Sequence, residues 1–174
     1  METLLEPYVA IRDYMEAGGP VLLAILFVAI LLWALIIERF LYLWVNHPRA
    51  MSSTVGRWQA RRDNDSWYAK QIRLALISQV SSRLDRNLLL IRTLIAICPL
   101  LGLLGTVTGM IHVFDIMAIT GTGNARGMAE GISRATLPTM SGLVIALSGV
   151  FFSARLDQRA RLEREKLADL LRTY

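Results

Sequence analysis

The side chains of this 174-residue chain that could move protons or attack a substrate lie in apolar surroundings. Leu101 to Phe114 reads LGLLGTVTGMIHVF and carries Thr106, Thr108 and His112; further along come Thr136, Thr139, Ser141 and Ser148. A hydroxyl on an apolar helix either bonds a carbonyl of its own helix or helps wet a shared interior, and spacing alone leaves both open. The run Thr139-Met140-Ser141-Gly142 faintly suggests a serine nucleophile, which would need a base. His112 lies near the end of its own apolar stretch, and His47, followed by Pro48, falls at the end of another. No paired carboxylates, metal-ligand cluster or phosphate-cradling loop is present, so neither enzyme chemistry nor a metal or cofactor is expected.

The stretches that hold these residues are long and uncharged. Val21 to Ile37 runs 17 residues without a charge, Thr93 to Phe114 runs 22, and Ala135 to Ala154 runs 20. A helix of about 20 apolar residues crosses a bilayer core, so the chain is expected to be an all-α integral membrane protein with three transmembrane helices. Trp33, Tyr42 and Trp44 suit an interfacial aromatic belt at the end of the first. Met1 to Gly19 sets Glu2, Glu6, Asp13 and Glu16 against Arg12 alone, and no cleavage pattern follows the apolar stretch, so the first helix is expected to be retained. The single cysteine, Cys98, reads as a small packed residue.

The formal net charge of +5 is unevenly spread. One basic residue precedes the first span, ten lie from Arg39 to Arg92, two from Asp115 to Arg134, and six from Arg155 onward. Basic segments stay in the cytoplasm, which predicts an N-out, C-in topology and makes membrane lipid, not nucleic acid, the partner of the basic charge.

The expected organisation is a periplasmic amphipathic helix over 1–19, with Leu4, Leu5, Tyr8, Ile11 and Met15 on one side, then transmembrane helix 1 over 20–44. A cytoplasmic helical segment follows over 45–91, transmembrane helix 2 over 92–114, and a periplasmic connection over 115–134. Transmembrane helix 3 occupies 135–154 and a cytoplasmic helical tail 155–174. No Gly or Pro occurs from Ser66 to Ile97, and Ile72, Leu76, Val80, Leu84, Leu88 and Ile91 form a stripe, so helix 2 is expected to start well before the membrane. Leu156, Ala160, Leu167 and Leu171 keep an apolar side beyond helix 3, with Arg159–Glu163 and Arg161–Glu165 as expected ion pairs. The two extensions together predict a cytoplasmic helical bundle.

Helices in lipid associate through close packing and polar contacts, not through hydrophobic sequestration. Gly105-x-x-x-Gly109, with Gly102 one turn earlier, is a helix-contact surface; Gly142 belongs to a similar one on the third span. The expectation is that the glycines of the second helix let neighbouring subunits form a ring. Thr136, Thr139, Leu143 and Ala146 share one side of the third helix.

Two stretches carry a resemblance. PLLGLLGTVTGMIHVF, Pro99 to Phe114, and GMAEGISRATLPTMSGLV, Gly127 to Val144, resemble the paired signatures of the ExbB/TolQ/MotA family of proton-driven inner-membrane motor proteins, and the wording is most like an ExbB of a secondary TonB system. The resemblance implies a multi-pass protein of the bacterial inner membrane that forms a homopentamer around a dimer of ExbD-like single-span subunits. It implies that the proton-motive force is used to energise a TonB-like protein for outer-membrane uptake of iron siderophores, haem or cobalamin. The family's pore-lining threonines match Thr106 and Thr139, with Thr136 beside them. Where the better-known ExbB proteins carry a glutamate at the outer end of the third helix, this chain has Arg134, which cannot relay a proton; Glu130, four residues earlier, is its expected ion-pair partner. A TolQ-like constriction subunit, a MotA-like stator and a passive scaffold are the alternatives.

Overall fold

The computed structural model describes residues 6–46, 51–53, 55–56, 58, 60, 66–120 and 125–171. Four long helices carry the fold: α1 (Glu6–Leu41), α2 (Trp67–Asp85), α3 (Leu88–Thr120) and α4 (Ala125–Leu170), with a π-helical turn, Tyr42–Asn46, continuing α1. The described residues contain no strand. Three helical stretches, within Ile11–Trp44, Trp67–Ile119 and Ala125–Leu170, are long and apolar enough to cross a membrane. The chain divides into two compact units, one of Met1–Trp33 with Thr93–Val150, the other of Ala34–Arg92 with Phe151–Tyr174.

In the first unit α1 breaks at Gly19, whose φ of 67° and ψ of −165° are open to glycine and strained for other residues. Pro20 then begins the apolar run, a position where its missing N–H leaves nothing unpaired. Leu22, Ile25, Ala29 and Leu32 recur every three or four residues and are buried, while Phe27 and Ile30 stay exposed. The same division holds on the other spans: Cys98 and Val113 of α3 and Ala135 and Ala146 of α4 are buried, whereas Leu103, Val107, Leu143 and Leu147 face outward. The small residues among those buried let the helices approach closely, and the bulky apolar side chains left exposed suit lipid.

The segment before the break was expected to lie on the membrane surface; Leu4 and Leu5 fall outside the described residues. Its Tyr14 hydroxyl shares a 2.6 Å hydrogen bond with the Ser141 hydroxyl, whereas Gly19 lies beside Arg134, seven residues earlier on α4. The segment therefore folds back along α4 from an elbow at Gly19.

In the second unit the apolar side of α4 beyond Phe151 is as expected: Leu156, Ala160, Leu167 and Leu171 are all buried, as are Val80 and Leu84 of α2 and Leu88 and Ile91 at the start of α3. Arg73 donates to the carbonyl of Ala168 at 2.9 Å, Arg164 pairs with Asp85, and Arg92 pairs with Asp157 at 2.5 Å.

Two local expectations are corrected. The helix running from Ser66 toward the membrane is interrupted at Arg86 and Asn87, where Asn87 has a φ of 66°. Asparagine is among the few side chains that enter the left-handed region readily, so a break needs neither Gly nor Pro. The pairs Arg159–Glu163 and Arg161–Glu165 do not form among the described residues. Glu163 pairs with Lys166 at 2.8 Å, and Arg159 lies over the rings of Phe40 and Trp44, 6.0 and 5.9 Å from their centroids. The cation precedes the acid in both expected pairs, the less favourable order on a helix.

The break after α2 is stabilised by α1. Arg39, 2% exposed, donates to the carbonyls of Arg83 and Leu84, two orphan acceptors of the last turn, and lies 4.8 Å from the Tyr42 ring. Glu38 accepts from the Asn87 amide at 3.1 Å. Arg39→Met keeps the bulk and removes both donors; with bonds from charged groups worth roughly 1.5–3 kcal/mol, denaturant titration should show a loss of about 2–3 kcal/mol. A midpoint equal to wild type would remove Arg39 from this role.

Candidate functional site: the glycine seam and the threonine face

The contact between α3 and α4 in the first unit is built from missing side chains. A Cβ on Gly109 would sit 2.5 Å from the Ala135 Cα, one on Gly142 would sit 2.5 Å from the Cys98 carbonyl oxygen, and one on Gly102 would sit 3.0 Å from the Thr139 Cα. At Gly105 it would collide with the Pro138 ring, which is fully buried there. Gly102, Gly105, Gly109 and Gly142 are thus helix-packing residues within one chain. The expectation that the α3 glycines contact neighbouring subunits is corrected, because the seam is filled by Ala135, Pro138 and Thr139 of the same subunit.

The seam fixes where the hydroxyls point. On an α-helix successive residues turn about 100°, so Thr106 lies about 40° from Gly102, and Thr139 about 60° from Gly142. Both are half-buried at the edge of the seam, and Thr136 is exposed beside them. They lie on the flank away from α1, whose elbow meets the other flank at Thr108, His112 and Arg134. Thr106, Thr136 and Thr139 are therefore brought to one face of the α3–α4 pair.

Each of the three hydroxyls already has an acceptor. Thr106 Oγ1 donates to the Leu103 carbonyl at 2.6 Å, Thr136 Oγ1 to Ser133 at 3.1 Å, and Thr139 Oγ1 crosses the seam to the Gly102 carbonyl at 2.8 Å. A threonine whose proton is committed still has lone pairs on the same oxygen. The face therefore accepts hydrogen bonds and donates none: it can bind water, a hydronium or a protonated carboxyl, and it repels an anion.

Arg134 is not on this face. It precedes Thr139 by five residues, which places it about 140° around the helix. Its guanidinium lies against Gly19, where a Cβ would be 3.4 Å from Nε. The α4 helix begins at Ala125, early enough for Glu130 and Arg134 to be one turn apart, yet Glu130 is exposed and the two form no ion pair among the described residues. Sequence reasoning missed the Tyr14–Ser141 bond and the elbow; the only available signal was the Gly18-Gly19-Pro20 break.

The geometry defines a class: a helical multi-pass membrane protein whose helices α3 and α4 share a glycine seam and expose a hydroxyl-lined face. A profile described as the MotA/TolQ/ExbB proton channel family matches residues 33–169, and the chain belongs to that family. The ExbB-like 3 protein of Synechocystis sp. is 40% identical over 88 residues, covering 48% of this chain and 42% of its own length. Biopolymer transport protein ExbB of Aquifex aeolicus is 32% identical over 92 residues (53% of this chain, 60% of that protein). The protein of the same name from Helicobacter pylori is 32% identical over 90 residues (52% and 62%). The matches thus span between 42% and 62% of these relatives.

Proposed function

We propose that this protein is an ExbB-type inner-membrane subunit of a motor driven by the proton-motive force, one that energises TonB-dependent outer-membrane uptake. The observation that carries the reading is the face of Thr106, Thr136 and Thr139, three acceptor oxygens on one side of a two-helix surface that α1 leaves open. In this reading the open side faces the centre of a homopentamer and a dimer of ExbD-like single-span helices fills it. A proton moves along the hydroxyl face as water or hydronium, or on a carboxyl of the partner, since among the described residues of this unit no acid lies on that face. The topology is N-out and C-in, and the unit of Ala34–Arg92 with Phe151–Tyr174 is the cytoplasmic bundle, which matches the concentration of basic residues in those segments. Arg134, on the opposite flank, leaves the path clear.

The test is proton uptake by sealed vesicles holding the chain with and without its single-span partner under an imposed potential. Uptake that requires both is expected; a passive scaffold would add no partner-dependent conductance. Native mass spectrometry of the detergent extract should give five copies, and a stable monomer would contradict the ring.

A further inference from the structure

The elbow in α1 borders a half-open cavity of about 290 Å³, with Gly19 and Pro20 on one side and Thr108, His112 and Arg134 on the other. Arg134 is, among the described residues, the only formal charge in its lining. Among the described residues no carboxylate lines the cavity and Arg134 has no ion-pair partner; Asp115 and Glu130 are both exposed. Arg134 also immediately precedes the uncharged stretch Ala135 to Ala154, so it stands at the lipid–water boundary of its span. A fixed, half-buried cation there, in a pocket whose described lining holds no acid, attracts an anion from the boundary.

The lining sets the chemistry of that charge. A guanidinium offers parallel N–H donors that match two oxygens of one oxyanion, and His112 adds a ring nitrogen from α3. Thr108 donates its hydroxyl proton to the carbonyls of Leu104 and Gly105, each at 3.0 Å, and so forms wall and not donor. Gly19 is required by its φ of 67°, and the guanidinium packs beside it in ordinary contact, 3.4 Å from where a Cβ would sit. The cavity is larger than a monatomic ion needs, and at a membrane boundary the abundant oxyanion is phosphate.

We propose that the elbow cavity is a binding site for a phosphate oxyanion, held by Arg134 with His112, whether carried by a phospholipid headgroup or free. The site lies on the flank away from the threonine face and does not depend on the proton-path reading.

The full chain in detergent is titrated in native mass spectrometry with short-chain phosphatidylglycerol, with inorganic phosphate, and with short-chain diacylglycerol as the phosphate-free control. Phosphate-bearing probes bind and diacylglycerol does not; binding of the lipid alone assigns the headgroup, and binding of inorganic phosphate assigns the free anion as well. Arg134→Met weakens binding by about tenfold or more, with Arg134→Lys intermediate because charge persists without the fork. Equal binding by Arg134→Met and wild type overturns the site, as does an equal loss from Arg126→Met on the exposed start of α4. A second measurement needs no variant: phosphate at several times its dissociation constant should slow phenylglyoxal modification of wild-type Arg134 about fivefold relative to Arg126. Unprotected Arg134 overturns the proposal.

Discussion

Gly142→Val prevents α3 and α4 from docking, and Gly109→Val does the same. In both cases the added Cβ meets backbone: 2.5 Å from the Cys98 carbonyl oxygen at Gly142, and 2.5 Å from the Ala135 Cα at Gly109. No rotamer change relieves a clash with main chain, so the helices must separate, and the loss exceeds the roughly 1–3 kcal/mol of ordinary overpacking. Separation also breaks the Thr139–Gly102 bond and dismantles the threonine face. Folded protein recovered by size-exclusion chromatography should fall below detection for both variants. Gly56→Ala is the comparison, since nothing lies within 4 Å of its added Cβ; its effect should stay within about 1 kcal/mol. Wild-type recovery of Gly142→Val would show that the seam is not close-packed.

Thr106→Val combined with Thr139→Val lowers partner-dependent proton flux at least tenfold. Valine keeps the shape of threonine and deletes the oxygen, so water or hydronium loses two acceptors along the face. An unmet hydrogen bond there costs about 1–3 kcal/mol, or roughly 5- to 160-fold in rate, and two are removed. Thr139→Val also removes a bond across the seam, and such bonds in membranes average about 0.6 kcal/mol, too little to unfold the unit. Thr139→Ser retains the hydroxyl and should retain flux. Full flux in the double variant, with normal amounts of assembled protein, would end the role of these oxygens.

Much of the fold is legible in the sequence because charge is scarce in the three apolar stretches and composition alone separates what lipid accepts from what it rejects. The apolar side of Leu156, Ala160, Leu167 and Leu171 is legible for a related reason, since a helical stripe has nowhere to go but a partner helix. The glycines of α3 announce close packing, but a missing side chain does not say which helix fills the gap; Pro138, on α4, does. Gly18-Gly19-Pro20 announces a break and not its direction, which depends on the distant Tyr14–Ser141 bond. The turn at Asn87 escapes notice because the apolar stripe runs unbroken past it from Leu84 to Leu88, and the contacts from Arg39 and Glu38 then support the left-handed conformation. Arg39 itself was detectable: it lies on the repeat Leu32, Ile36, Arg39, Leu43, all buried, so its place on an apolar stripe signals a buried cation with carbonyl partners. The threonine face was legible only in half, as Thr136 and Thr139 share a helix side by spacing, whereas adding Thr106 requires the seam to set the angle between two helices.

In the proposed function the position of the face, not the mere presence of hydroxyls, carries the proton. Ser148 provides the control, because it lies on α4, donates to the Ile145 carbonyl at 2.8 Å as the threonines do to theirs, and falls on the flank opposite Thr139. Partner-dependent proton uptake in vesicles should be compared for wild type, Thr106→Val with Thr139→Val, and Ser148→Val. The threonine variant should lose at least about tenfold and Ser148→Val should match wild type; equal uptake in all three, or a loss confined to Ser148→Val, would show that the threonine face is not the proton path.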